Sequence, residues 1–517
     1  MAGKVADRSP ILQWVIVLGV GLLVAAVVLS LQLIPRLDAG QKVLDGAKPA
    51  FTTPRIGADV AGINFISKDV NMADPLMTPT SGASEEVPAV IAYVAETEHI
   101  SEAEAVALVQ KTFPHTFGLL EALPLSATAE ELPALEEFLE EALGVTPEQL
   151  TAALKENFPA ITQAITNLPK VTEGWEDIPG IEGLTRFDGT PVKTVPQLRD
   201  YFKDDLIPAV GAQQSNFESL DGTSQVNWIA PVLLIIAGIV VLFAAAMIAR
   251  NLWGSPSRGE RIAAASVVPV VGVIVVGLVL ALALIPRVNH GQKLLDGLEP
   301  AFAAQRVEGD RTGIDMVSTI VNTEDPIMTP QGGAAAEVPK LIAFVAEGTG
   351  LSEAEVVAAL QKNFPHVLGL LQALPLSAVS AELPEVEEFL KPALGAVPAL
   401  AQTIENAPAV TGGWNEVPDM NGATNFAGTP IKTAPDVRDY FSQDVVPVLE
   451  NQQGNYEELT GISTIGFIGW LVLAVGIIVI AYGVLMIVLA AGWLQRGGAA
   501  RPSIASQTRD GVQGMSM

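Results

Sequence analysis

The chain of 517 residues contains no cysteine, and this absence excludes several kinds of chemistry. Disulfide frameworks, thiolate metal sites and cysteine nucleophiles all require the missing residue. Histidine is also scarce, with four copies, so imidazole catalysis and metal binding have few candidate residues. The lack of cysteine gives no information about the compartment, because a protein without disulfides is stable in any of them.

Positive charge is in short supply as well. There are 29 Lys and Arg residues against 57 Asp and Glu residues, a net charge of −28. Nucleic-acid binding is excluded, because proteins bind the phosphate backbone with clustered Lys and Arg. Charged residues make up only 17% of the chain, and the mean hydropathy is +0.39. This composition is too apolar for an ordinary soluble protein and predicts a membrane protein.

Motifs of enzymatic chemistry are missing from the sequence. We find no nucleophile elbow (G-x-S-x-G), no zinc-protease motif (H-E-x-x-H) and no Walker or other glycine-rich phosphate loop. We therefore predict that the protein is not an enzyme and that it uses no cofactor and no metal.

Four uncharged apolar runs stand out in the chain. They are Ile11–Ile34, Trp228–Ala249, Ile262–Ile285 and Ile465–Leu494. Each meets the length of about 20 residues that crosses a bilayer core. The first run is not a cleaved leader, because it lacks a small-x-small site at its end. We predict four transmembrane helices over residues 11–34, 227–250, 262–285 and 464–494.

The charges predict how these helices are oriented. Residues 35–226 carry a net charge of −18 and residues 286–463 a net charge of −15, whereas the rest of the chain is positive at +5. By the positive-inside rule, residues 1–10, the loop 251–261 and the tail 495–517 are cytoplasmic. Both acidic segments then lie outside the plasma membrane. Arg36 and Arg287 flank the first and third spans on that outer side, so the inverted orientation stays open.

The two halves of the sequence match each other. Ile34-Pro35-Arg36 corresponds to Ile285-Pro286-Arg287, an offset of 251 residues. Arg199-Asp200-Tyr201-Phe202 corresponds to Arg438-Asp439-Tyr440-Phe441, an offset of 239. We interpret the chain as a tandem parallel repeat whose second copy has lost 12 residues, in the region after residue 395.

Both acidic segments are predicted to be α-helical, which makes the fold class an all-α membrane protein. In the first segment, Ser101–Pro124 and Thr146–Pro169 each begin with a capping box and contain a Phe-Pro break, which indicates helical hairpins. The spacing of apolar residues predicts helices over 57–72, 102–112, 114–122, 147–157 and 159–168, among others. The Gly- and Pro-rich stretch 175–194 predicts a loop or a small hairpin.

Small residues recur every seven positions in two of the predicted spans. They are Ala230, Ala237 and Ala244 in the second span and Gly469, Gly476 and Gly483 in the fourth. A stripe of small residues lets helix backbones approach closely in a membrane. We interpret these six positions as the packing seam of a pseudo-symmetric four-helix bundle.

Three matched pairs of residues are the candidate interaction sites. They are His115 and His366, Trp175 and Trp414, and Arg199 and Arg438. The histidines follow Phe-Pro and would form a metal or pH-sensing site if the segments faced each other, but a simple helix break explains them better. The arginines would bind an anion or form salt bridges beside a core aromatic pair. The tryptophans would line a pocket or pack in the core.

The sequence therefore predicts a non-enzymatic membrane protein whose two acidic helical domains bind a protein partner, a lipid or another ligand of the cell envelope. Membrane lipids and either a protein partner or a second copy of the chain are the expected partners. A transporter or channel component built from the membrane bundle is the alternative, and an enzyme with His and carboxylates in the cleft between segments is a third. The composition is Ala-rich and Lys-poor, which suits a bacterial protein.

Overall fold

The computed structural model describes residues 9–78, 82–221, 227–254, 256–328, 333–460 and 467–491. Within these ranges the chain is helical and contains no strand, which confirms the all-α prediction. The only β pairing among the described residues is two isolated bridges, Thr185 with Pro191 and Thr424 with Pro430. Each bridge closes a small loop, and the first lies in the stretch predicted as a loop or hairpin.

The helices of the first half are α1 (Ser9–Ser30), α2 (Leu33–Ala47), α3 (Thr53–Met77), α4 (Ala83–Glu98), α5 (Glu102–Thr112), α6 (Pro114–Ala122), α7 (Leu125–Leu143), α8 (Pro147–Asn157), α9 (Pro159–Glu176), α10 (Val195–Asp200), α11 (Ile207–Asp221) and α12 (Ile229–Trp253). Those of the second half are α13 (Arg258–Ala281), α14 (Leu284–Leu298), α15 (Ala304–Met328), α16 (Ala334–Thr349), α17 (Glu353–Asn363), α18 (Pro365–Ala373), α19 (Leu376–Leu390), α20 (Pro398–Gly413), α21 (Ala434–Asp439), α22 (Val446–Thr460) and α23 (Phe467–Ala491). Single π-helical turns, Tyr201–Leu206 and Tyr440–Val445, join α10 to α11 and α21 to α22.

The chain divides into two compact units. The membrane unit contains residues 1–41, 219–293 and 458–517, and the helical body contains residues 42–218 and 294–457. The body ranges hold 18 Lys and Arg residues and 51 Asp and Glu residues, a net charge of −33. Almost all of the acidic character of the protein is therefore concentrated in the body.

The membrane unit supplies four helices that are long and apolar enough to cross a membrane, α1, α12, α13 and α23. The first and third end earlier than predicted, at Ser30 and Ala281 instead of residues 34 and 285. Gln32 and Ala283 adopt left-handed backbone conformations, with φ of 50° and 45°. A left-handed residue cannot continue a right-handed helix, so α2 and α14 begin as separate helices.

Local sequence signals define the helix ends of the body. The predicted bounds 102–112, 114–122 and 147–157 are those of α5, α6 and α8. The capping boxes of Ser101 with Glu104 and of Thr146 with Gln149 are both present. Helix α9 continues through Pro169 to Glu176, further than the predicted end at residue 168. Trp175 therefore lies in the last turn of a helix, and its prediction as a loop residue was wrong.

The two segments differ in the region of α8. No helix corresponds to α8, and the chain there forms a three-residue 3-10 turn, Leu394–Ala396, before α20 begins.

The two acidic segments form one interlocked body. Helix α3 of the first segment packs along α20 of the second, and α15 of the second packs along α9 of the first. Helices α6 and α18 cross each other, and a Cβ atom on Gly118 would lie 2.8 Å from the Gly369 carbonyl oxygen and the Ala373 amide nitrogen. Glycine is required at this crossing because the two backbones touch. The sequence had left open whether the segments contact each other, and in the structure they share a single core.

Candidate functional site

Helix starts in the body are capped by glutamates of the opposite segment. Helices α6, α9, α18 and α20 begin with an X-Pro pair and have no side-chain cap from their own N-cap residue, which leaves main-chain amides without helical partners. Their amides donate to the carboxylates of Glu382, Glu337, Glu131 and Glu86, respectively. These hydrogen bonds join the two segments at four places and place negative charge where the helix dipole favours it.

The two repeated histidines lie at the crossing of α6 and α18. His115 Nδ1 donates to the main-chain carbonyl of Gln372 at 3.0 Å, and His366 Nδ1 donates to that of Glu121 at 2.8 Å. A carbonyl accepts only, so the proton is on Nδ1 in both rings. Each histidine therefore connects the two segments. Among the described residues no group of three or more His, Cys, Asp or Glu side chains is placed to hold a metal ion.

The two repeated arginines bind groups of their own segment. Arg199 Nη2 forms an ion pair with Asp200 at 2.7 Å, and Nη1 donates to the side-chain oxygen of Asn71. Arg438 makes the matching ion pair with Asp439 at 2.8 Å and the matching hydrogen bond to Asn322. These contacts tie the end of each segment to its own long helix, α3 or α15.

The two repeated tryptophans are among the most buried residues of the protein. Trp175 is 2% exposed and Trp414 is 1% exposed. The indole Nε1 of Trp175 donates to Asp74 at 2.8 Å, and that of Trp414 donates to Asp325 at 2.9 Å. All six candidate interaction residues thus make hydrogen bonds that connect helices, to main-chain carbonyls or to Asn and Asp side chains.

Sequence reasoning missed a pair of buried carboxyls next to tyrosines of the opposite segment. Asp310 lies beside Tyr201, and Asp59 lies beside Tyr440. Burial raises the pKa of both carboxyls to about 7, and the nearby tyrosine hydroxyl and an arginine, Arg306 or Arg55, oppose the rise. Neither carboxyl oxygen of Asp310 has a hydrogen-bond partner among the described residues.

The arginines of these clusters clamp the small loop of the opposite segment. Arg306 donates to the main-chain oxygens of Thr185 and Arg186 at 3.0 Å each, and its guanidinium lies 5.1 Å from the centre of the Phe187 ring. Arg55 makes the equivalent contacts with Thr424, Asn425 and Phe426. The signal in the sequence was weak, because Arg and Asp at these spacings are typical of a solvated helix face.

A second carboxyl pair lies in the middle of the body and has no symmetric counterpart. Asp69 and Glu324 are close to each other and fully buried. Burial raises the pKa of Asp69 to about 7, and burial together with the neighbouring Asp69 raises that of Glu324. The matching positions are Ile320 and Ala73. Two buried carboxyls in contact share a proton, because both cannot ionise without water. Glu324 also lines an apolar cavity of about 80 Å³.

In the membrane unit, the spans pack as two tight pairs. Helix α1 packs with α12, and α13 packs with α23. All six predicted seam residues are buried, the alanines of α12 and the glycines of α23. A Cβ atom on Gly272 would lie 2.9 Å from the Gly476 carbonyl oxygen, which shows how closely the second pair approaches.

Between the two pairs lies a long apolar cavity of about 270 Å³. Along α1 its lining extends from Ile16 to Val28, with Leu33 of α2 beyond it, and along α23 it extends from Ile468 to Tyr482. At one end the pairs meet through an apolar cluster that includes Trp14 of α1 and Met486 of α23, and through a hydrogen bond from the Tyr482 hydroxyl to the Gln13 carbonyl. Tyr482 is the only residue with a polar side chain among the described residues that line the cavity.

Comparison with known proteins gives no relative for this chain. No family model, no curated protein and no solved structure matches it.

Proposed function

We propose that this chain is a non-enzymatic integral membrane protein that presents its helical body outside the cytoplasm for binding a protein partner, a lipid or another envelope ligand. The charge distribution supports this orientation. The body carries a net charge of −33, and Arg250, Arg258 and Arg261 lie at the loop between the second and third spans. A surface of this charge favours a partner with a basic face.

The observation that carries the non-enzymatic proposal is how the polar side chains of the body are used. The four cross-segment glutamates cap helices, and the two repeated histidines donate to main-chain carbonyls. The repeated arginines and tryptophans are bound to Asn or Asp side chains in the same way. These groups hold two segments together, so what the body offers to a partner is a stable surface.

We also propose that the chain arose by duplication and fusion of one gene. Contacts at matching positions support it. Trp175 with Asp74 corresponds to Trp414 with Asp325, and Glu131 at α18 corresponds to Glu382 at α6. The ancestral unit in this proposal is a span, a helical segment and a span, and two such units exchange helices.

The orientation can be tested by single-cysteine labelling, which has no background because the chain contains no cysteine. Glu137→Cys and Glu388→Cys occupy matching exposed positions of α7 and α19, and Gly259→Cys lies exposed at the start of α13. We expect an impermeant maleimide to label the first two variants in intact cells and to label the third only after lysis. Labelling of Gly259→Cys alone in intact cells would reverse the orientation.

Ligand binding by the body is tested by purification of the intact protein under several gentle conditions. We expect a stoichiometric envelope protein or lipid to copurify and to be lost when the acidic surface of the body is neutralised. Recovery of the protein alone under all conditions counts against the proposal.

A transporter or channel component is the second candidate function. The cavity between the two helix pairs is the observation that favours it, because an apolar cavity along the bundle is a candidate route for an apolar solute. Reconstituted liposomes decide the matter: flux above that of empty vesicles supports this candidate, and equal flux removes it.

A further inference from the structure

The cavity of the membrane unit has the shape and the chemistry of a hydrocarbon chain. Its lining extends along α1 from Ile16 to Val28, which corresponds to roughly 18 Å at 1.5 Å per residue, and continues at Leu31 and at Leu33 of α2. Its walls are apolar, so water is not stable inside it, since buried water needs two to four polar partners. The four helices around it are long and apolar enough to cross a bilayer, where the surrounding solvent is lipid hydrocarbon.

A charged residue follows closely in the sequence after a residue that lines this cavity. Leu33 lines the cavity, and Arg36 follows three residues later in α2. The Nε and Nη1 atoms of Arg36 are shielded from solvent, and neither has a hydrogen-bond partner among the described residues. Guanidinium nitrogens without water and without an acceptor are costly, and phosphate oxygens are the acceptors that the fork geometry of arginine fits best.

From these two observations we infer that the membrane unit binds one phospholipid, with an acyl chain in the cavity between the two helix pairs and the phosphate hydrogen-bonded to Arg36. The bound chain fills the space between α1 and α12 on one side and α13 and α23 on the other. Affinity comes from close packing and from the phosphate, because the free energy of an acyl chain is already low in the surrounding lipid. This site is independent of what the helical body binds.

The structure offers matched variants for the test. Val271 lines the cavity, and Val273, two residues further along α13, is 58% exposed and does not line it. Val271→Phe fills the cavity, whereas Val273→Phe adds the same ring to the lipid-facing surface. Arg36→Gln removes the proposed phosphate ligand, and Arg287→Gln makes the same change at the matching position of the second half.

The measurement is native mass spectrometry of the full chain, purified in a mild detergent after exposure to phospholipid. We expect one phospholipid per chain in the wild-type protein, retained in Val273→Phe and Arg287→Gln. Occupancy should fall at least tenfold in Val271→Phe and several-fold in Arg36→Gln. Diacylglycerol lacks the phosphate, so the wild-type protein should retain it less than phospholipid. Arg36→Gln should retain diacylglycerol to the same low extent as the wild type does.

A second measurement keeps the proposal testable if the cavity variant does not fold. A phospholipid with a photoreactive group in its acyl chain should attach to wild-type protein at Val24 or Val475, which line the cavity. Three results would each overturn the inference. The first is equal phospholipid occupancy in Val271→Phe and Val273→Phe, and the second is retention of a fatty acid or a polyprenyl lipid in place of phospholipid. The third is attachment of the photoreactive lipid only at outward residues such as Val273.

Discussion

Asp310 is a carboxyl group that the fold holds away from water. Its two oxygens have no hydrogen-bond partner among the described residues, and burial raises its pKa to about 7. A carboxyl in such a place is stable as the neutral acid, and ionisation is the costly state. Asp59, Asp69, Glu121 and Glu324 have raised pKa values for the same first reason, desolvation. The described residues of the body therefore contain five carboxyls that bind protons more tightly when folded than when unfolded.

This arrangement predicts that the body is less stable at neutral than at mildly acidic pH. A carboxyl with a raised folded pKa contributes stability that is fully present below its unfolded pKa of about 4 and is lost as the pH rises through about 7. Urea denaturation of the purified chain at several pH values should show the free energy of unfolding falling across this window. At 1.36 kcal/mol per unit, Asp310 alone accounts for roughly 4 kcal/mol at most.

The matched variants for this prediction lie on the same helix. Asp310→Asn removes one titrating group and should make the pH dependence shallower without abolishing it, because four other carboxyls with raised pKa values remain. Asp315→Asn, at an exposed position of α15, should leave the dependence as in the wild type. A free energy of unfolding that rises from pH 4 to pH 7 would contradict the raised pKa of these carboxyls. The same holds if Asp310→Asn leaves the pH dependence of the free energy unchanged.

At the scale of helices, α6 and α18 cross with their backbones in direct contact. A Cβ atom on Gly118 would come within 2.8 Å of main-chain atoms of Gly369 and Ala373. Main-chain atoms cannot turn aside as a flexible side chain can, so the helices would have to separate. Separation would also lengthen the hydrogen bonds of His115 and His366, which lie at the same crossing.

We therefore expect Gly118→Ala to lower the free energy of unfolding by about 1–3 kcal/mol, the usual cost of overpacking. The control is Gly454→Ala in α22, where nothing lies within 4 Å of the added carbon. That substitution should be neutral or stabilise by up to about 1 kcal/mol, because alanine favours helices. The midpoints of thermal unfolding, followed by circular dichroism, compare the two. Equal midpoints would show that the crossing is looser than the structure indicates.

The helices themselves could be predicted from the sequence, because the signals that start and stop them are local. Ser101 and Glu104 are three residues apart, and the bounds of α5 followed from them. The glutamate caps could not be predicted, since Glu382 reaches the start of α6 from 266 residues away. Nothing near Glu382 in the sequence distinguishes it from a solvated residue. The long-range contacts that make two segments into one body thus have no local signal.

At the scale of the whole molecule, the interlocked segments decide how the protein can fold. Helix α3 has its main packing partner, α20, in the other half of the chain, and α9 has its partner, α15, there as well. The helix starts at Pro114 and Pro159 lose their caps if the second half is absent, which costs about 1 kcal/mol each. A single half would expose a large apolar surface that the intact chain buries.

This leads to a prediction for the chain divided in the loop between α12 and α13. Either half expressed alone should be degraded or should pair with a second copy of itself, because its segment lacks a partner. When expressed together, the halves should form a one-to-one complex with the circular dichroism spectrum of the intact protein. Size-exclusion chromatography with light scattering gives the stoichiometry. A folded, monomeric half would refute the interlocked body, since its core would then be complete without helices from the other segment.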